Sequence, residues 1–162
     1  MAVDMFLKLD GINGESRDSK HKGEIEIESF SWGASNSGSA AHAGGAGGGA
    51  GKVSMQDFSF VTRVSKASPQ LFLACASGQH IRSGLLTVRR AGERQEEFLK
   101  VTMSDVLVSS WKQEGSAGDE VPTDQVSMNF AKIKIDYYEQ SPSGGLGEVT
   151  SAGWDVKANV KL

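Results

Sequence analysis

A mainly β fold, an antiparallel sandwich or barrel carrying one short helix, is what this 162-residue sequence predicts. Three observations predict it. Apolar and polar residues alternate at two-residue spacing over much of the chain, a single segment carries helix start and stop signals, and the apolar parity of three strands flips partway along. With no repeating helices there are no crossovers for a parallel sheet. Parity flips suit strongly curved strands that turn barrel corners.

Val3 to Asp10 alternates and ends at Gly11, so it opens the fold as a strand. The polar segment Asn13 to Gly23, with an Asn-Gly turn signal, separates it from the next. In GEIEIESFSWG, Ile25 and Ile27 share one face while Phe30 and Trp32 take the other, which places a bulge or a change of neighbour near Glu28 and Ser29. The run Gly38 to Lys52 follows, and KVSMQDFSFVTRV then restores strand character, Val53 and Met55 giving way to Phe58 and Phe60. Ser68 is expected to cap a helix, with Pro69 at its first position and Gly78 as its left-handed end. Since LFLACA is apolar on every side, that helix is expected to be buried against the sheet.

Leu85 to Arg90, a turn at Ala91-Gly92-Glu93 and the segment Glu97 to Lys112 read as a hairpin. After a turn at Gly115 to Pro122, Asp124 to Glu139 forms a further strand, in which Met128 and Phe130 give way to Ile133, Ile135 and Tyr137. A Ser-Pro-Ser-Gly-Gly loop precedes GWDVKANVKL, a closing strand with Trp154, Val156, Ala158 and Val160 on one face. Roughly seven strands and one helix result.

The length fits a single domain, 1–162. A net charge of -3 lacks the basic footprint of a nucleic-acid binder. The lone Cys75, beside Leu73, Ala74 and Ala76, reads as a small buried hydrophobe. Asp4 and Lys8 interrupt the N-terminal apolar run, which excludes a secretory core, and no later stretch has the length to span a bilayer. Synthesis and folding in the cytoplasm is the expectation, with no membrane insertion.

Gly38 to Lys52, GSAAHAGGAGGGAGK, resembles a phosphate-binding loop up to its last position, where Val53 replaces the hydroxyl that would ligate magnesium. Its flanks are a polar run and a strand, not a strand and a helix, so the segment reads as a long connection between two strands. His21, His42 and His80 have no second ligand at metal spacing, and no GxSxG announces a nucleophile. No cofactor is expected. Glu24, Glu26 and Glu28 alternate on a strand about 7 Å apart, a spacing compatible with a glycosidase pair, but with Ile25 and Ile27 filling the opposite face they read as a solvated strand face. Phe58, Phe60, Phe72 and Trp154 read as core, and Trp111 as either an interface anchor or a partly exposed core edge. Lys132, Lys134 and Asp136 make a charged face, solvated or in contact with a neighbouring copy.

Taken in order, MFLKLDGINGES, HKGEIEIESFSWG, the Gly/Ala-rich run, GKVSMQDFSFVTRVSKASPQLFLACASGQH and GWDVKANVKL resemble the Hcp family, haemolysin-coregulated proteins that form the inner tube of bacterial type VI secretion systems. The resemblance covers nearly the whole chain, and phage tail-tube proteins share the fold. It implies a compact β-barrel of two sheets with one short α-helix and an extended Gly-rich loop. It also implies homohexameric rings that stack into a tube, with sheath, spike and effector proteins as partners and export by type VI secretion. By position, Ser31 would face the pore and touch effectors. The loop residues Gly38, His42, Gly44, Gly45, Gly47, Gly48, Gly49, Gly51 and Lys52 would contact an adjacent subunit or ring. The role is structural, not enzymatic. The alternative from another class is a monomeric β-sandwich ligand-binding module with the glycine loop as its lid.

Overall fold

The computed structural model of the chain describes residues 2–37 and 52–162. Among them the elements are β1 (Val3–Leu9), β2 (Ile25–Asn36), β3 (Val53–Arg63), α1 (Ala67–Ser77), β4 (His80–Arg90), β5 (Glu97–Glu114), β6 (Thr123–Gln140), β7 (Leu146–Asp155) and β8 (Val160–Lys161). Strand pairing is antiparallel in the order β3-β2-β1-β4-β5-β6-β7-β8. A further pairing of β3 with β6 closes the first six of these strands into a barrel, with β7 and β8 extending from it. Of the sandwich or barrel that the order of elements leaves open, the antiparallel barrel is the one found.

All three parity flips have a structural cause, and the causes differ. Between Ile27 and Ser29 the register advances by two residues on β2 and one on β3, so the extra residue belongs to β2, at Glu28. Between Ser31 and Gly33 the inequality reverses and the extra residue belongs to β3, just before Phe58. In β6 the flip at Ala131 has no bulge against β5; there the strand exchanges β3, its neighbour up to Met128, for β7, its neighbour from Lys132. Opposite this crossover Asp105 of β5 adopts a left-handed φ of 53°. Its carboxylate accepts hydrogen bonds from His80 Nδ1 at 2.6 Å and Lys157 Nζ at 3.2 Å, and these two donors, His80 first, hold it below the usual range. A short polar side chain tolerates that backbone conformation better than most.

Inside the barrel lie Leu7, Ile25, Phe58, Phe60, Leu71, Leu86, Val101, Met103, Val106, Val126 and Met128, essentially inaccessible to solvent. Phe58 and Phe60 are core, as expected. Phe72 is not: it is exposed, as is Leu73, because the buried side of α1 is the one carrying Ala67, Ser68, Leu71 and Ala74. Cys75 is half-buried at the rim of that contact, not enclosed. Ser68 does not cap α1 either. Lys66 occupies the cap position without a side-chain bond, while the buried Ser68 hydroxyl donates to Asp124 Oδ2 at 2.5 Å and accepts from Ser65 N–H at 3.0 Å. Gly78 ends the helix with φ 68° and donates its N–H to Ala74 O, as the sequence suggested.

At the C-terminus the expected single strand is a tight hairpin. β7 ends at Asp155, Asn159 takes a left-handed φ of 57°, and β8 returns to pair Val160 with Asp155. The first part of β7, Leu146 to Ala152, is exposed throughout.

Candidate functional site

Ser31 is not an isolated small residue. It pairs with Ser59 on β3, Ser59 pairs with Ser127 on β6, and Ser127 pairs with Ser110 on β5, so one cross-strand row of serines spans four strands. Directly paired residues point to the same face of a sheet. Ser31 and Ser110 are exposed, Ser59 and Ser127 half-buried, and the hydroxyls of the latter two lie 2.9 Å apart. The next row on this face reads Ser29, Val61, Gln125, Lys112. At the other side, Ser109 donates to Asp57 Oδ2 at 2.5 Å. A hollow of about 460 Å³ covers the middle of this surface.

What positions Ser31, Ser59 and Ser127 is the apolar residue on either side of each; Ser110 has one, Trp111, and follows a register shift at Ser109. Phe30-Ser31-Trp32, Phe58-Ser59-Phe60 and Val126-Ser127-Met128 all put the serine outward because both neighbours turn to the core side. Beneath the serine row runs an apolar one, Phe30–Phe60–Val126–Trp111. Ser59, Ser110 and Ser127 were not singled out in the sequence. One serine between two bulky apolar residues marks Ser59 and Ser127, whereas Ser110, after Ser109, carries no such signal.

The four-stranded wall β2-β3-β6-β5 is open at both ends. β1 pairs with β2 only at Ile25 and Glu26, and no other strand among the described residues pairs with that margin of β2 beyond them. β4 pairs with β5 as far as Leu107, so among the described residues Val108 to Glu114 have β6 on one side and no strand on the other. Both margins therefore present backbone donors and acceptors that a further strand can satisfy. Beside the β5 margin, Phe72 and Trp111 meet with ring centroids 5.2 Å apart at 57°.

Elsewhere on the barrel charges meet in pairs, the most buried of them on the side opposite the serine wall. Phe6 of β1 lies between the His21 ring, stacked at 4.4 Å and 8°, and the Arg89 guanidinium at 4.8 Å. Arg89, 3% exposed, donates to both oxygens of Asp18, at 3.0 and 2.5 Å, and to Asp4 Oδ2 at 3.2 Å. That pairing holds the Asp18 carboxyl down from 3.8 to about 2, with the Lys20 N–H assisting, and raises Arg89. His21 Nδ1 faces the Glu24 carboxylate at 3.0 Å and Nε2 meets Glu97 Oε1 at 2.6 Å. The polar segment between β1 and β2 is thereby clamped to the barrel. Glu28, the outermost of the three alternating glutamates, pairs with the exposed Arg63 at 3.1 Å. Lys132 lies 4.0 Å from Asp155 and Lys134 3.6 Å from Asp136.

No group of three or more metal-ligating side chains occurs among the described residues. Of the expected contact loop, Lys52 is exposed at the start of β3; Gly38, His42, Gly44, Gly45, Gly47, Gly48, Gly49 and Gly51 lie outside the described residues. An apolar hollow of about 490 Å³ opens between Trp32 and Met55 on one side and Ile133, Ile135 and Trp154 on the other. Trp154, expected in the core, forms part of its wall.

A profile of the family described as type VI secretion system effector, Hcp, matches residues 6–137. The protein hcp1 of Pseudomonas aeruginosa is 46% identical over 163 residues, with 99% of each chain covered. Among solved structures, Hcp1 from Salmonella typhimurium superposes with a TM-score of 0.84 at 39% identity over 100% of both chains. A structure described as a type six secretion system protein gives a TM-score of 0.92 at 29% identity, over 99% of this chain and 100% of that one. The closed antiparallel barrel and these likenesses agree: the chain belongs to the Hcp family of type VI secretion system tube proteins.

Proposed function

We propose that six copies of this single-domain chain close into a ring with the serine-lined wall facing its lumen, and that rings stack into a tube. The observation carrying this reading is the pair of open margins on one antiparallel wall of four strands. Because the strand count is even, the β5 margin of one copy runs antiparallel to the β2 margin of the next under simple rotation. Identical head-to-tail contacts then repeat around the ring, and the two ends of such a ring are unlike, as stacking requires. A lumen lined by small hydroxyls, with Ser31 among them, offers weak hydrogen bonding and no deep pocket. That suits effector cargo that is held and then released.

The chain's role in this reading is mechanical, without catalysis or cofactor. Its further partners are the sheath, spike and effectors of the secretion machine, and it leaves the cytoplasm by that machine. The segment Gly38 to Gly51 with Lys52 serves as a contact to an adjacent subunit or ring. Multi-angle light scattering with negative-stain imaging tests the ring: annular particles of six chains are expected, and a strict monomer at high concentration would return the chain to the ligand-binding alternative. Deleting Gly44 to Gly49 is expected to leave the fold intact and weaken stacking; unchanged stacking removes the loop assignment. Ser31→Gln is expected to preserve rings and reduce co-purification of effectors, and unchanged cargo capture removes the lumen assignment.

A further inference from the structure

We infer that the outer face of α1, Phe72 and Leu73, together with Trp111 beside it, is an aromatic seam that packs against a second copy of this chain. The inference rests on the ring reading above and names the side chains that make its contact. From Ala67 to Gly78 the chain carries no charged residue, yet one side of this helix is solvent-facing, with Phe72 52% and Leu73 59% exposed. A helix apolar on every side is ordinarily covered on every side. In the monomer α1 is covered on one side only.

The uncovered side adjoins an open sheet margin. Phe72 rests on Trp111, Trp111 lies within the stretch of β5 that has no strand beyond it, and the Trp111 indole N–H is buried without a hydrogen-bond partner among the described residues. A strand added to that margin sits about 4.8 Å away, beside the helix. Helix face and margin thus form one continuous surface.

The occupant is a second copy because the same chain carries the matching margin. The apolar row Phe30–Phe60–Val126–Trp111 runs from one open edge of the wall to the other, with half-buried aromatic residues at both ends. When β2 of one copy is laid along β5 of the next, Phe30 and Trp32 fall on the side of the sheet that carries Trp111 and Phe72. Each copy then covers the aromatic edge of its neighbour, and the serine faces join on the other side of the wall. Clusters of aromatic residues at such joins tend to dominate binding.

The test is the double variant Phe72→Ser, Leu73→Lys in the full chain, compared with wild type by light scattering over a dilution series and by amide exchange of Val108 to Glu114. Circular dichroism and thermal melting check that the variant keeps the wild-type fold, which the exposure of both residues favours. Wild-type rings are expected to protect the β5 margin amides. The variant is expected to fall apart into folded monomers at a concentration at least about tenfold higher, with that protection lost. Rings as stable as wild type, or rings that persist but no longer stack, would overturn the seam while leaving the ring reading intact. A monomeric wild type would remove the ring reading itself, and the seam with it.

Discussion

Two aromatic clusters on opposite sides of the barrel are finished to different degrees. Around Phe6, the stacked His21 ring and the Arg89 guanidinium each meet carboxylates, and the segment that supplies His21, Asp18 and Glu24 is tied down from several directions. Around Trp111, one ring contact is made with Phe72, and among the described residues the indole N–H has no partner and the flanking backbone no strand on its outer side. A buried polar group left unpaired costs more than one satisfied within the fold. The first cluster is complete in a single copy. In the proposed ring the second is completed by a further chain, and the contrast would then separate residues that hold the monomer together from residues that join monomers.

Breaking the Phe6 side should therefore unfold the monomer, whereas breaking the Trp111 side should not. The largest effect is expected from Phe6→Ala, which empties the space between His21 and Arg89; chemical denaturation should show a loss of about 3–5 kcal/mol. Next comes Gly14→Ala, whose Cβ would lie 2.5 Å from Glu24 O and 2.7 Å from Ile25 Cα, both backbone atoms; about 1–3 kcal/mol is expected by the same assay. Acid sharpens the comparison further. The Asp18 carboxyl is held below its unfolded value, so its contribution is fully present above about pH 4 and is lost as the pH falls towards about 2. Asp18→Asn should flatten the stability profile in that window, and an unchanged acid limb would show that the clamp contributes nothing there. Smallest is the monomer stability of Phe72→Ser, Leu73→Lys, expected within about 0.5 kcal/mol of wild type in thermal melts of the dissociated protein.

Residues that face either core or solvent consistently were legible in the sequence. Alternation in β2, β3 and β6 announced the strands, and the parity flips announced a bulge or a change of neighbour; only the pairing partners decided which, two bulges and one exchange. The early part of β7 escaped notice because Leu146 to Ala152 is exposed on both faces, so no alternation marks it. Trp154 to Val160 misled in the opposite way, since apolar residues at spacing two bracket a turn that depends on a left-handed Asn159. Ser68 looked like a helix cap because local rules favour serine there, whereas its actual partner, Asp124, is distant in sequence. Phe72 was placed in the core since a short helix apolar all round gives no hint of which side is covered. The resemblance points to Ser31 alone; that Ser59, Ser127 and Ser110 share its row follows only from register, which depends on long-range pairing.

The central claim is that the open β5 margin and the exposed face of α1 are completed by another copy of the chain. It is tested most directly by amide exchange of Val108 to Glu114 in the wild-type protein, measured above and below the concentration at which light scattering shows six times the 17.2 kDa chain mass. Protection of those amides that appears with the ring and vanishes on dilution is the expected result. Rings that form while the β5 margin exchanges as freely as in the monomer would contradict the account.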